Sequence, residues 1–106
     1  MKLSDRVYSA PSTIHGTGLF ARQKFAKGEY IGTYEGPAAK RNGTYVLWVT
    51  DENGDTSARS GRNLLRFLNH QRPPNAEFDG YDLFAKKAIK PGDEITFDYG
   101  WEDETA

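Results

Sequence analysis

The chain has no cysteine in 106 residues, which excludes disulfide staples, thiolate zinc sites and cysteine nucleophiles together. It has almost no net charge: 14 Lys and Arg against 15 Asp and Glu leave −1. The basic residues are scattered, and the tightest group, Lys86, Lys87 and Lys90, reads as a solvated strand face, so no direct nucleic-acid partner is expected. No apolar run approaches the ~18 residues of a membrane span. The start, MKLSDRV, lacks the apolar centre of a signal peptide, so no membrane partner and a cytoplasmic location are expected. His15 and His70 are the only imidazoles and suggest no third ligand, so no metal site is expected. The G-x-S-x-G elbow of serine hydrolases is missing as well.

Helical periodicity is also scarce. One helix-like piece, about residues 63–68, stands among short apolar or alternating runs at 6–9, 19–25, 30–34, 44–50, 76–78, 83–89 and 94–97. Lys27-Gly28, Asn53-Gly54, Asp79-Gly80 and Pro91-Gly92 punctuate them. The expected fold is mostly β, with one short helix and a hairpin around WVTDENGD. A chain of this length buries about 65% of its unfolded surface and holds one core, so residues 1–106 read as a single domain.

An internal repeat is present. GTGLFARQKFAKGEYIGTYEG, residues 16–36, lies without a gap over GYDLFAKKAIKPGDEITFDYG, residues 80–100. Gly16/Gly80, Leu19/Leu83, Phe20/Phe84, Ala21/Ala85, Gly28/Gly92, Ile31/Ile95 and Gly36/Gly100 are identical. Two copies are too few for a solenoid and predict two pseudo-symmetric strand–turn–strand units packed on each other. Each ends in a Tyr beside an acid, so a site between them can receive the phenols of Tyr34 and Tyr99.

RFLNHQRPPN, residues 66–75, is the densest stretch of polar side chains that bond backbone. Pro73-Pro74 forbids helix or central strand, which predicts a stiff, irregular segment with its N–H and C=O groups kept out of any ladder.

Together GTGLFA at 16–21, TYEG at 33–36, N-x-x-RFLNHxxxPN at 63–75 and GDEITFDYG at 92–100 resemble the SET-domain family of protein lysine methyltransferases, in order and spacing, over about residues 7–101. The resemblance implies small curved β-sheets of β-clip-like form, with a C-terminal segment threaded into a pseudoknot. It also implies S-adenosylmethionine as cofactor and a protein or peptide lysine, histone-like among the options, as substrate. The usual Ser-Cys after Asn-His is Gln71-Arg72 here, Arg62 stands where a Gly often precedes the motif Asn, and the family's Cys-rich flanks are absent.

Carried over residue by residue, the resemblance places the backbone of His15, Gly16, Thr17 and Gly18 along the methionine part of the cofactor, and the backbone of Asn69 and His70 at the adenine. Arg66 and the Asn69 side chain support the pocket, Tyr45 contacts the methionine carboxylate or amine, and Trp101 stacks on the adenine. Tyr34 and Tyr99 line the lysine channel, with Tyr99 the catalytic phenol. Phe97, two residues earlier on the same strand face, stands at a position where the family's Tyr or Phe sets how many methyl groups are added, and Phe implies di- or trimethylation. The alternative is a β module that keeps the fold for protein binding without turnover. Exposed aromatics and a short C-terminal tail further predict a homodimer.

Overall fold

The computed structural model describes residues 2–98. Its strands are β1 (Val7–Pro11), β2 (Thr17–Ala21), β3 (Tyr30–Thr33), β4 (Val46–Thr50), β5 (Thr56–Ser60), β6 (Asn69–His70), β7 (Ala76–Asp79), β8 (Asp82–Ala85) and β9 (Glu94–Phe97). Short 3-10 helices occupy Leu3–Asp5 and Leu64–Phe67. The sheets are small: β1-β2-β9-β6, β3-β8-β7 and the β4-β5 hairpin. The fold is mostly β, as the sequence predicts.

The repeat explains the core. The first strand of each copy pairs with the second strand of the other: Leu19 and Phe20 of β2 face Ile95 and Glu94 of β9, and Tyr30 of β3 faces Phe84 of β8. At the centre Phe25 and Ile89 exchange backbone hydrogen bonds, each 2.9 Å. Around them Gly28 N–H donates to the Ala85 carbonyl at 2.7 Å, and its equivalent Gly92 N–H donates to the Ala21 carbonyl at 2.8 Å. Both glycines hold a positive φ, 85° and 88°, which a side chain resists. The two units are thus interlocked rather than two self-paired hairpins.

The repeated identities are core positions. Leu19, Ala21, Phe25 and Ile31 join Leu83, Ala85, Ile89 and Ile95 in one buried cluster with Val7 and Leu65. Each large apolar side chain buried this way contributes about 1.5–3 kcal/mol. Period-2 alternation is weak in the sequence because β2 and β9 are covered on much of both faces.

Three expectations change. The runs at 19–25 and 83–89 stop being strands at Ala21 and Ala85 and continue only as the Phe25–Ile89 bridge. The run at 44–50 enters its strand at Val46, leaving Tyr45 in a turn. Asn69-His70 does join a ladder: β6 lies parallel to β9, with Asn69 opposite Thr96 and His70 opposite Phe97. The prolines stop that strand after two residues but do not prevent it, because β6 is an edge strand and pairs on one side only.

Candidate active site

RFLNHQRPPN is a series of backbone clasps. Arg66 donates from Nη1 to the carbonyls of Arg62 and Asn63, both at 3.0 Å, and its guanidinium lies 4.3 Å from the Phe67 ring centre. Asn69 donates from Nδ2 to the His15 carbonyl at 2.9 Å, a link across 54 positions. Gln71 N–H donates to the Phe97 carbonyl, so alternation along β6 turns the backbone groups of His70 away from β9. Arg72 pairs with Asp98 at 3.0 Å, and Asn75 binds the β9 backbone twice, at Glu94 O and Thr96 N, each 2.8 Å. Asparagine amides therefore replace the ladder that proline forbids.

Three cavities meet around this segment. The first, about 260 Å³, is lined by His15, Gly16, Thr17, Thr44, Tyr45, Arg66, Phe67, Leu68 and Asn69. Gly16 has a φ of 44° and no atom within 4 Å of where a Cβ would stand, so the backbone of its loop is open to a ligand. The wall combines the Arg66 cation, aromatic faces from Tyr45 and Phe67, and exposed backbone. This suits an amphipathic ligand carrying a carboxylate and an aromatic base.

Thr44, Tyr45, Arg66 and Leu68 are shared with a second space of about 20 Å³, whose other walls include Tyr34, Leu47, Leu65 and Phe97. Leu47 and Phe97 in turn border a third, open groove of about 410 Å³ between β4 and β7, with Trp48, Val49, Ala76, Phe78 and Asp98 around it. Between a roomy cavity and a roomy groove lies a narrow space, the passage, of about one or two water volumes that shares walls with both.

The passage walls are rigid. The Tyr34 hydroxyl donates to the Tyr45 carbonyl at 2.5 Å, and Tyr34 is 6% exposed. Gly61 packs against it so closely that an added Cβ would lie 2.4 Å from the Tyr34 hydroxyl oxygen. Phe97, also 6% exposed, meets Phe78 edge to face at 5.3 Å.

The SET-domain family model matches residues 16–100. This chain is a member of the SET-domain family. The chain is 28% identical over 126 residues to the histone-lysine N-methyltransferase MEDEA of Arabidopsis thaliana, covering all of this chain and 18% of that protein. It is 29% identical over 121 residues to the H3 lysine-4 specific histone-lysine N-methyltransferase of Schizosaccharomyces pombe, covering 93% of this chain and 13% of that protein. The structure of ctPRC2 in an autoinhibited conformation bound to S-adenosylmethionine matches with a TM-score of 0.76 and 25% identity, over 90% of this chain and 15% of that one. The chain thus spans less than a fifth of the length of these relatives.

In this SET domain the structure brings most of the sequence-predicted residues together. His15, Gly16, Thr17, Tyr45, Arg66 and Asn69 share the first cavity, and Tyr34 and Phe97 share the passage. Gly18 does not line the cavity. It is buried in β2, and an added Cβ would stand 2.4 Å from Glu94 Oε2, so its place in the motif makes room for a carboxyl group. His70 is beside the first cavity rather than in its wall, with Nδ1 3.8 Å from Asp98 Oδ1. Tyr99 and Trp101 lie outside the described residues. Sequence reasoning missed Glu94, Gly61, Thr44 and Leu47; the Gly61 signal was available only as an unexplained glycine between the hairpin and the motif Asn63.

Proposed function

We propose that this SET domain transfers methyl groups from S-adenosylmethionine to the side-chain amine of a protein lysine. The observation that carries the reading is a cavity and an open groove that both share walls with one narrow passage, lined by Tyr34 and Phe97. On this reading a cofactor in the cavity and a peptide in the groove meet there. S-adenosylmethionine, when bound, supplies an electrophilic sulfonium methyl, and displacement by the lysine lone pair forms the C–N bond as the C–S bond breaks.

The chain's own contribution is position and dryness. Arg66 offers a cation to the cofactor carboxylate, the loop at His15, Gly16 and Thr17 offers backbone, and Asn69 and His70 border the adenine end. Tyr45 sits where cavity and passage join, beside the amino-acid part of the cofactor. The buried walls of the passage disfavour an ammonium, so the lysine, with an ordinary pKa of ~10.4, reaches it neutral after giving its proton to solvent. On this reading Tyr99 orients the amine through its hydroxyl, Trp101 covers the adenine, and the segment after Asp98 completes the family's pseudoknot.

Calorimetric titration with S-adenosylhomocysteine, followed by transfer of a labelled methyl group to histone and lysate proteins, tests the proposal. Micromolar binding with transfer is expected, and Tyr99→Phe should retain binding while turnover falls by about ten- to ten-thousand-fold. Binding without transfer to any protein would favour the inactive module instead. The reading includes a homodimer, supported by Trp48, which borders the groove with 45% of its surface exposed. A fully active monomer in sedimentation at micromolar concentration would remove that part.

A further inference from the structure

We infer that Glu94 is a positioning residue that clamps the loop at residues 12–16, and that through this loop it sets affinity for the cofactor; the second half of the statement rests on the functional reading above. Glu94 stands on β9, behind the first cavity and outside its wall. Its carboxyl group accepts the Ser12 hydroxyl at 2.7 Å on Oε1 and 2.9 Å on Oε2, and it accepts Asn69 Nδ2 at 2.9 Å on Oε2. Ser12 Oγ in turn accepts the N–H of Ile14 at 2.9 Å and of His15 at 3.4 Å. The Asn69 amide also donates to the His15 carbonyl at 2.9 Å, so both its N–H bonds are committed. Ser12 N–H closes the loop on the Gly16 carbonyl at 2.8 Å.

Every neighbour of Glu94 in this set is a donor, and its own side chain must accept on both oxygens. A carboxylate offers two acceptor oxygens; an amide offers one, which the Ser12 hydroxyl and the Asn69 amide would have to share, while its NH2 would stand against Ser12 Oγ, which already accepts the N–H groups of Ile14 and His15. Gly18 belongs to the device, since only a residue without Cβ leaves the carboxyl group its place. The loop that presents His15, Gly16 and Thr17 is thereby pinned to two strands far away in sequence, β6 and β9, before any ligand arrives. Pre-set loops bind more tightly because less ordering remains to be done.

Amide hydrogen exchange by NMR and calorimetry with S-adenosylhomocysteine test this on Glu94→Gln and Ser12→Ala. In the ligand-free protein both variants should speed exchange at Ile14 and His15 by about tenfold or more, with exchange in the β1–β2 ladder unchanged. Both should weaken S-adenosylhomocysteine binding by about tenfold, raise KM for the cofactor by a similar factor and leave kcat within about twofold. The double variant should be no worse than Glu94→Gln alone, because the two side chains act as one unit. Unchanged loop exchange in folded variants would overturn the clamp. Faster exchange with unchanged affinity, where the wild type binds, would overturn its link to the cofactor. Failure of the wild type to bind S-adenosylhomocysteine would instead overturn the functional reading, with the exchange result still deciding the clamp. Should Glu94→Gln not fold, Glu94→Asp, which keeps the charge but draws the carboxyl group back from Ser12 and Asn69, decides in its place, since Ser12→Ala also removes the direct acceptor of the Ile14 and His15 N–H groups.

Discussion

Residues 12–16 and residues 80–81 are the connections that lead into the first strand of each repeat copy, and of the two only the first lines the cavity that holds Arg66 and Asn69. β1 runs back on β2 with Val7 opposite Ala21, as β7 runs back on β8 with Ala76 opposite Ala85. The equivalent glycines Gly16 and Gly80 both turn with positive φ, 44° and 62°. In the second copy Asp79 already faces Asp82, and the tight turn between them forms a simple edge of the groove. In the first copy Pro11 faces Thr17, and the longer loop between them stands away from the sheet and becomes a cavity wall. The longer loop thus contributes His15 and Gly16 to a cavity, whereas the tight turn contributes Gly80 alone to the groove. The candidate site here is built at a strand connection while the interlocked strands stay alike.

Replacing residues 12–16 with a two-residue Asn-Gly turn, to make the first copy like the second, should therefore have the largest effect. The turn chemistry suits a hairpin, so the protein should remain folded. S-adenosylhomocysteine affinity should fall by more than about a hundredfold, since the wall made by His15 and Gly16 and the Asn69 link to His15 disappear together. Retained binding by calorimetry would mean that the loop is not what separates the two copies.

Asn69→Ala comes next. It cuts a side-chain bridge from the RFLNH segment to the loop and removes the Asn69 partner of the His15 carbonyl and of Glu94 Oε2. A loss of about 1–3 kcal/mol of stability is expected, with cofactor affinity weakened in parallel. Denaturant unfolding and calorimetry on the same preparations check both. A stability loss with full affinity would place Asn69 in the scaffold and outside the site.

Much of the first cavity was legible because its walls are written in backbone geometry and amides. HGTG and RFLNH need glycine and asparagine at fixed places, and those residues are visible in a sequence. The passage and groove were less legible. Leu47 and Thr44 reach the passage only because β4 pairs with β5, whose polar TSARS sequence carries no apolar alternation to announce a strand. Gly18 was expected along the cofactor and stands instead against the Glu94 carboxyl group, because Gly-x-Gly looks alike whether it meets a ligand or a neighbouring side chain. Asn69-His70 was expected outside any ladder because proline limits are local, whereas pairing on one edge is decided by β9. The repeat was the most informative signal, since its identities turned out to be the core itself.

Gly16→Ala and Gly80→Ala sharpen the comparison. Neither site has an atom within 4 Å of an added Cβ, so each change should cost only the left-handed backbone strain, about 1–2 kcal/mol. Stability should fall alike in both. Only Gly16→Ala should also weaken S-adenosylhomocysteine, by several-fold, because only that turn lies in the first cavity. Equal effects on binding would show that the two turns are coupled through the core.

The smallest effect on rate, and the most specific, is expected at Phe97, which belongs to both sides because it lines the passage and the groove. Its ring is held edge to face against Phe78 and presents no polar atom to a passage of about 20 Å³. A lysine that already carries a methyl group needs more room there than an unmodified one. A hydroxyl at this position would anchor a water that is otherwise poorly held, and that water would occupy the space the larger amine requires. Wild type should therefore proceed past monomethyl-lysine, whereas Phe97→Tyr should stall at it with the first transfer little changed. If Phe97 is only core filling, the added hydroxyl is buried without a partner and costs about 1–3 kcal/mol of stability, and the products stay the same. Mass spectrometry of a methylated peptide, read beside thermal unfolding of the two proteins, separates these results: an identical product distribution from a destabilised but folded variant would remove Phe97 from the site.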